Sequence, residues 1–137
     1  AAAMAAMRFA GDAIRQRLGA VSTLRISALA AIAGLGMAGL APNSGLAILG
    51  FFVAGLGIAN LVPIMFSAAG NLPGLAPGVG LSVVTITGYS GILLAPGSIG
   101  YLAEKMSFSA IYLGLGGLLL LPLLLSPLAR AADFDER

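Results

Sequence analysis

A long uncharged stretch is the feature that most limits what this chain can fold into. From residue 26 to residue 103 the sequence contains no Asp, Glu, Lys or Arg. Over the whole chain 9% of the residues are charged and 59% are hydrophobic, whereas an ordinary soluble domain carries about 25% charged residues. A water-soluble domain of this size could not cover its surface with so few charges. The sequence therefore predicts a protein whose solvent is mostly lipid.

Four apolar segments have the length expected of membrane-crossing helices. The hydrocarbon core is about 30 Å thick, which roughly 20 apolar residues in a helix can cross. The segments lie at about residues 24–40, 46–69, 79–102 and 108–128. Turns rich in Pro and Gly separate the first three, and a short polar turn precedes the fourth. We therefore predict an all-α integral membrane fold with four transmembrane helices across residues 24–128 and a polar tail at residues 129–137.

The first 23 residues form a separate unit in this prediction. Residues 1–10 are apolar but too short to cross a membrane, so they resemble the end of a fifth helix whose beginning is missing. A charged loop follows them and carries Asp12, Arg15 and Arg17. Because the sequence also lacks an initiator Met, we expect the chain to be a fragment of a longer protein.

Composition argues against several classes of chemistry. The chain has no Cys and no His, so disulfides, thiolates, the commonest metal ligand and the usual general base are all absent. We expect no metal site, no cofactor and no enzymatic activity, since no catalytic motif is recognisable. A net charge of +2 without a basic stripe does not favour nucleic acid as a partner.

The basic residues predict how the chain is oriented. If the four segments cross the membrane in alternation, six of the seven basic residues fall on one side: Arg8, Arg15, Arg17, Arg25, Arg130 and Arg137. The other side carries Lys105 alone. Short cytoplasmic loops are enriched in Lys and Arg. We therefore predict a multi-pass protein of the inner membrane with its C-terminus in the cytoplasm.

The charged loop has a recognisable pattern. Gly11 and Asp12, followed by Arg17 and Gly19, resemble the cytoplasmic loop motif of the major facilitator superfamily, which roughly reads G-x-x-x-D-R-x-G-R. The resemblance implies that residues 1–10 end helix eight, and that the four segments are helices nine to twelve of a half-bundle. It also implies a cytoplasmic gate, in which the carboxylate latches two helix ends and releases them when the transporter tilts. Alternatively, the arginines bind anionic lipid headgroups and Asp12 caps a helix.

A second stretch supports the same family. The segment APGSIGYLAEKMSF, residues 95–108, is similar to the end of helix eleven in sugar- and drug-transporting members. It also echoes the charged loop, and inverted three-helix repeats would place the two on opposite membrane faces. Within the family the sequence looks most like bacterial inner-membrane sugar permeases. The implied partners are membrane lipid, a small solute and the missing N-terminal half of the transporter.

Polar residues in two of the segments are candidates for the substrate site. The resemblance implies that helices ten and eleven contribute to a central cavity. Asn60 and Ser67 are seven residues apart and share one helix face, and Ser82, Thr85 and Tyr89 share another. Hydroxyl, amide and phenol groups suit a neutral polar solute such as a sugar. Alternatively, each Ser or Thr hydroxyl bonds its own helix or joins two helices.

Proline and glycine positions predict where the helices bend and pack. Pro63 and Pro96 each interrupt a segment and free a backbone carbonyl, and Gly97 adds freedom beside Pro96. We predict these three residues as hinges. The spacing of Gly55 and Ala59 is typical of close helix contact in membranes.

The sequence thus favours one function over its alternatives. We expect part of a secondary active transporter that moves a small neutral polar solute by alternating access. An alternative from another class is a small structural or assembly protein of four membrane helices that packs against a partner. A four-span drug exporter is disfavoured, because it would require an acidic residue inside its first span.

Overall fold

The computed structural model describes residues 2–76 and 78–132. The described chain is all-α, as the sequence predicted, and its elements are α1 (Ala2–Leu40), α2 (Ser44–Gly70), α3 (Val79–Ala103), α4 (Phe108–Leu118), α5 (Leu120–Leu124) and a 3-10 helix (Ser126–Ala132). Residues 1, 77 and 133–137 lie outside the described part, and with them the end of the predicted tail, including Arg137.

Three of the described helices are long and apolar enough to cross a membrane, and a fourth apolar helix is shorter. They are Phe9–Leu40, Ser44–Gly70 and Val79–Ala103, whereas Phe108–Leu124 is shorter. The fourth predicted segment, residues 108–128, is divided into α4, α5 and the 3-10 helix, and α4 ends at Leu118. Pro122 explains the break: it has no N–H to donate to the carbonyl of Leu118, four residues earlier.

The loop predicted before the first span is helical instead. Helix α1 runs through it, and the one residue with non-helical dihedrals is Gly19, at φ 81° and ψ 165°. Such a conformation strains any residue that has a Cβ, so glycine is suited to this position. We refer to residues 2–18 as the first segment of α1 and to residues 20–40 as its second segment.

The two segments of α1 run along α2 in opposite directions. In the first segment, Gly11 contacts Asn60 and Arg15 contacts Ser67, so this segment runs parallel to α2. In the second segment, Ala31 packs at Gly57 whereas Ala38 packs at Gly50, so the chains run antiparallel. Gly19 therefore closes a helical hairpin, in which a single residue replaces the predicted loop.

Small residues bring the second segment of α1 close to α2. A Cβ added to Gly34 would stand 2.5 Å from the carbonyl oxygen of Gly50, and one added to Gly57 would stand 2.5 Å from the nitrogen of Ala31. Backbones that approach this closely gain van der Waals contact along the whole seam. Gly55, which was predicted to lie in such a seam, has nothing within 4 Å of an added Cβ. The packing face of α2 is therefore the face that contains Gly50 and Gly57.

Contacts at the two ends of the bundle show how the remaining elements are arranged. At the Gly19 end, Arg25 Nε donates a hydrogen bond of 2.8 Å to Oγ of Ser126 in the 3-10 helix. At the other end, an added Cβ on Gly39 would stand 3.0 Å from Cγ of Leu113 in α4. The C-terminal 3-10 helix thus lies at the same end as the hairpin turn.

Helix α3 packs loosely against the other elements. Among its residues, all of which are described, Gly80 alone is buried, and it lies against the carbonyl of Ala69 in α2. Large apolar side chains along the rest of the helix are exposed, including Leu93 at 81%. A membrane helix with this surface needs lipid or other helices around most of its circumference.

Candidate functional site: a polar cleft between α1 and α2

The helical hairpin places the glycine of the loop motif directly against a polar residue of α2. A Cβ on Gly11 would overlap Oδ1 of Asn60 and stand 2.8 Å from its Cγ. Gly11 is buried, and Asn60 is 7% exposed. No other residue type would fit at position 11 without moving the Asn60 side chain. The first candidate gate residue and the first candidate substrate residue are therefore in contact.

A second polar contact joins the same two helices one helical turn further along. Arg15 Nη2 donates a hydrogen bond of 3.0 Å to Oγ of Ser67, and both side chains are partly buried. Sequence reasoning placed Arg15 among the basic residues of the loop but did not assign it a partner. Its partner is in α2 because the first segment stays helical and carries Arg15 alongside that helix. Residue spacing alone contained no signal for this pairing.

The residues around these contacts line a cleft of about 280 Å³. Its polar lining combines a carboxylate, a guanidinium, an amide and a hydroxyl, and the large apolar side chains of its lining come from α2. The lining residues are Gly11, Asp12, Arg15, Thr23, Asn60, Val62, Pro63 and Ile64. The Thr23 hydroxyl is already occupied, because it donates a 2.7 Å hydrogen bond to the carbonyl of Gly19. The other polar side chains of the lining are those of Asp12, Arg15 and Asn60.

The amide of Asn60 has an unusual position in this cleft. The residue is more than nine-tenths buried, yet its side chain forms no hydrogen bond within residues 2–76 and 78–132. Among the described residues, every fully enclosed side-chain nitrogen or oxygen has a hydrogen-bond partner. The polar atoms of Asn60 are therefore not fully enclosed and keep some access to open space. A buried amide without a partner costs about 1–3 kcal/mol.

The other gate residues occupy different surroundings. Asp12 and Arg17 are both exposed, and no ion pair joins them in the described part of the chain. Gly19 forms the turn of the hairpin. Asp12 lies seven residues before that turn, which is about 10 Å along a helix at 1.5 Å per residue.

The substrate residues predicted on α3 lie away from this cleft. Tyr89 is 66% exposed, and Ser82 is also exposed. The Thr85 hydroxyl donates a 2.7 Å hydrogen bond to the carbonyl of Leu81 in its own helix, which was the alternative reading for such residues. The structure thus brings Asn60 and Ser67 together with α1, and it does not bring them together with Ser82, Thr85 or Tyr89.

The predicted hinge residues sit inside helices that continue through them. Pro63 lies within α2 and lines the cleft, and Pro96 and Gly97 lie within α3. The hinge role of these three residues remains a prediction. Among the long described helices, the non-helical backbone conformation occurs at Gly19 instead.

Taken together, this fold and cleft define a multi-helical membrane protein with polar groups between its helices. Comparison with known proteins identifies its relatives. The chain is 40% identical over 103 residues to membrane protein MosC of Rhizobium meliloti, which covers 75% of this chain and 25% of that protein. It is 38% identical over 121 residues to an uncharacterized MFS-type transporter of Yersinia pestis, covering 88% of this chain and 31% of that protein.

A third relative, like the second, is named as a transporter. An uncharacterized transporter of Sinorhizobium fredii is 30% identical over 129 residues, covering 94% of this chain and 34% of that protein. No family model matches the chain, and no solved structure matches it significantly. The chain is therefore a multi-pass membrane protein related to MFS-type transporters, MFS being the major facilitator superfamily. It spans about a quarter to a third of the length of these relatives.

Proposed function

We propose that this chain is the C-terminal part of a secondary transporter that moves a small neutral polar solute across the inner membrane. The observation that carries the proposal is the cleft between α1 and α2, where polar groups converge inside an otherwise apolar bundle. Two of the three relatives bear transporter names. Transport moves a solute without covalent chemistry, so the proposed protein is not an enzyme and uses no cofactor.

Alternating access supplies the mechanism of this proposal. By the resemblance to the major facilitator superfamily, the second segment of α1 corresponds to helix nine, and α2 and α3 correspond to helices ten and eleven. Pro63, Pro96 and Gly97 provide bending points as the bundle rocks. The hairpin that holds Gly11, Asp12, Arg17 and Gly19 forms the cytoplasmic gate.

The proposal requires a larger bundle around α3. Since α3 buries Gly80 alone against the rest of the described chain, its remaining surface is free for further helices. The relatives are about three to four times as long as the matched region. We infer that an N-terminal half packs on this surface, and that the solute cavity between the halves is lined by Ser82, Thr85 and Tyr89 as well as by Asn60 and Ser67.

The orientation of the proposed transporter follows from charge. Arg15, Arg17 and Arg25 lie near the hairpin turn, and Arg130 lies in the 3-10 helix that Arg25 contacts. Lys105 lies at the opposite end, beyond α3. Under the positive-inside rule, the arginine-rich end faces the cytoplasm, and so does the C-terminus.

Uptake by proteoliposomes tests the proposal. The full-length protein that contains this chain would be reconstituted and assayed with a panel of labelled neutral monosaccharides, beside Asn60→Ala and Tyr89→Phe variants. We expect uptake of at least one sugar by the unmodified protein, and reduced uptake or affinity in the variants. Unchanged uptake and affinity in both variants would remove the cavity assignment. No uptake of any sugar would favour the alternative of a structural or assembly role.

A further inference from the structure

We propose that the cleft between α1 and α2 is a binding subsite for a hydroxyl-rich neutral solute of monosaccharide size, with Asn60 and Asp12 as the principal hydrogen-bonding residues. The inference rests on the transport function proposed above and gives it a location. It places the first polar contacts of the solute between the helical hairpin and α2, rather than along α3.

The buried amide of Asn60 is the first argument. Its side chain is more than nine-tenths buried and makes no hydrogen bond to the described residues, while it lines the cleft. An amide offers two N–H donors and one carbonyl acceptor. A sugar hydroxyl both donates and accepts, so one or two adjacent hydroxyls can satisfy the groups that the protein leaves open.

The charges that face the cleft are the second argument. Asp12 contributes a carboxylate that accepts hydrogen bonds, and Arg15 contributes a guanidinium that donates them. One hydrogen bond of the Arg15 guanidinium goes to Oγ of Ser67 in α2. Because one negative and one positive group line the same cleft, a neutral solute with many hydroxyls fits better than an anion or a cation.

Size and shape are the third argument. The cleft volume of about 280 Å³ is near the lower end of the roughly 300–1,000 Å³ that is typical of small-molecule sites. A monosaccharide suits such a volume better than a drug-sized or oligomeric solute does. Val62, Pro63 and Ile64 form an apolar wall, against which the C–H face of a sugar ring can pack.

Thermal unfolding in detergent tests this subsite separately from transport. The purified full-length protein would be heated with D-glucose, D-galactose, D-mannose or D-ribose, with glycine as a zwitterionic probe and with sodium phosphate as an anionic probe. A ligand that binds the folded state stabilises it by RT ln(1 + [L]/Kd), so the Tm rises with ligand concentration. We expect at least one of the sugars to raise the Tm, and neither glycine nor phosphate to do so.

Two variants locate the binding. Asp12→Asn replaces an exposed carboxylate with a group of the same shape, and Asn60→Leu replaces the amide with an apolar group of similar size. Since one hydrogen bond is worth about 0.5–1.5 kcal/mol, we expect each variant to weaken sugar binding about fivefold, as read from the Kd fitted to the dependence of the Tm on ligand concentration. Ser98→Ala is the control, because the Ser98 hydroxyl bonds the carbonyl of Leu94 on exposed α3.

The outcomes separate this proposal from the transport function. Sugar-induced shifts that persist unchanged in both Asp12→Asn and Asn60→Leu would overturn the subsite, as would a loss confined to Tyr89→Phe. A response to glycine or phosphate alone, or to none of the probes, would overturn the solute class. If the protein takes up sugar but the expected Tm shifts are not found, the transport function is retained and this subsite is rejected. If sugar binding is found as expected but no preparation transports sugar, the subsite is retained and the transport function is rejected.

Discussion

Gly11 lies directly against the amide of Asn60, so that a Cβ at position 11 would overlap Oδ1 and stand 2.8 Å from Cγ. This contact joins the loop motif to the polar face of α2. It exists because Gly19 reverses the chain and returns the first segment of α1 to the side of α2. A glycine that resembles a loop residue in the sequence is therefore a packing residue of the bundle.

The first prediction concerns this contact. Gly11→Ala should destabilise the protein by about 1–2 kcal/mol, because overpacking costs about 1–3 kcal/mol and the better helix propensity of Ala returns up to about 1 kcal/mol. The free energy of unfolding in detergent is the measurement. Adding Asn60→Ala to Gly11→Ala should remove most of the overpacking, so the two substitutions should be strongly non-additive.

A matched control is available on the same helix. An added Cβ on Gly36 meets nothing within 4 Å, so Gly36→Ala should be neutral or slightly stabilising. Equal effects of Gly11→Ala and Gly36→Ala would mean that position 11 is not packed against Asn60.

The second prediction concerns the seam between the second segment of α1 and α2. Gly57→Ala should cost about 2–3 kcal/mol, because an added Cβ would stand 2.5 Å from the nitrogen of Ala31, and backbone atoms cannot rotate away. Gly55→Ala, two residues earlier on the same helix, should be harmless, since its added Cβ has open space. Thermal unfolding of both variants decides the matter. A larger loss for Gly55→Ala would place the opposite face of α2 in the seam.

The third prediction tests the helical hairpin. Since the sequence has no Cys, cysteines can be introduced into this region without competition from neighbouring thiols. Arg15→Cys combined with Ser67→Cys should be joined by a short bifunctional thiol reagent, because the two side chains meet in the structure. The shift in electrophoretic mobility after protease cleavage between the helices measures the cross-link.

Arg17 supplies the control for this cross-link. It is exposed and lies on another face of the first segment, so Arg17→Cys with Ser67→Cys should join much less efficiently. Equal yields for the two pairs would show that residues 11–18 form the mobile loop that the sequence pattern predicted, instead of a helix packed on α2.

The fourth prediction concerns the C-terminal 3-10 helix. Ser126 is 1% exposed, and its hydroxyl accepts a hydrogen bond of 2.8 Å from Arg25. Arg25→Gln should loosen this helix, at a cost of about 1 kcal/mol, since the arginine is itself exposed and its charge is screened. Limited proteolysis of the C-terminal segment should accelerate. Arg130→Gln, which alters an exposed arginine of the same 3-10 helix, should leave the rate unchanged, and acceleration in that variant alone would contradict the assignment.

Two segments show what sequence patterns leave open in a membrane chain. Residues 11–23 carry three charged side chains, which favoured a loop, yet α1 runs through them with non-helical dihedrals at Gly19 alone. Residues 108–128 are almost uniformly apolar, which favoured one continuous helix, yet α4 ends at Leu118, four residues before Pro122. Hydropathy indicates whether a segment lies in lipid or in water. It does not indicate whether the backbone hydrogen bonds of a helix continue through that segment.

The sequence by itself determined that this is an all-α membrane protein and where its long apolar helices lie, because charge is too costly in lipid to be placed anywhere but at the ends and between helices. It also identified Gly11, Asn60 and Ser67 as worth attention. Only the tertiary structure decided which helix each polar face meets. Periodicity fixes which residues share a face. The neighbour of that face depends on the dihedrals of Gly19 and on close backbone packing at Gly57, which the spacing of small residues did not distinguish from Gly55.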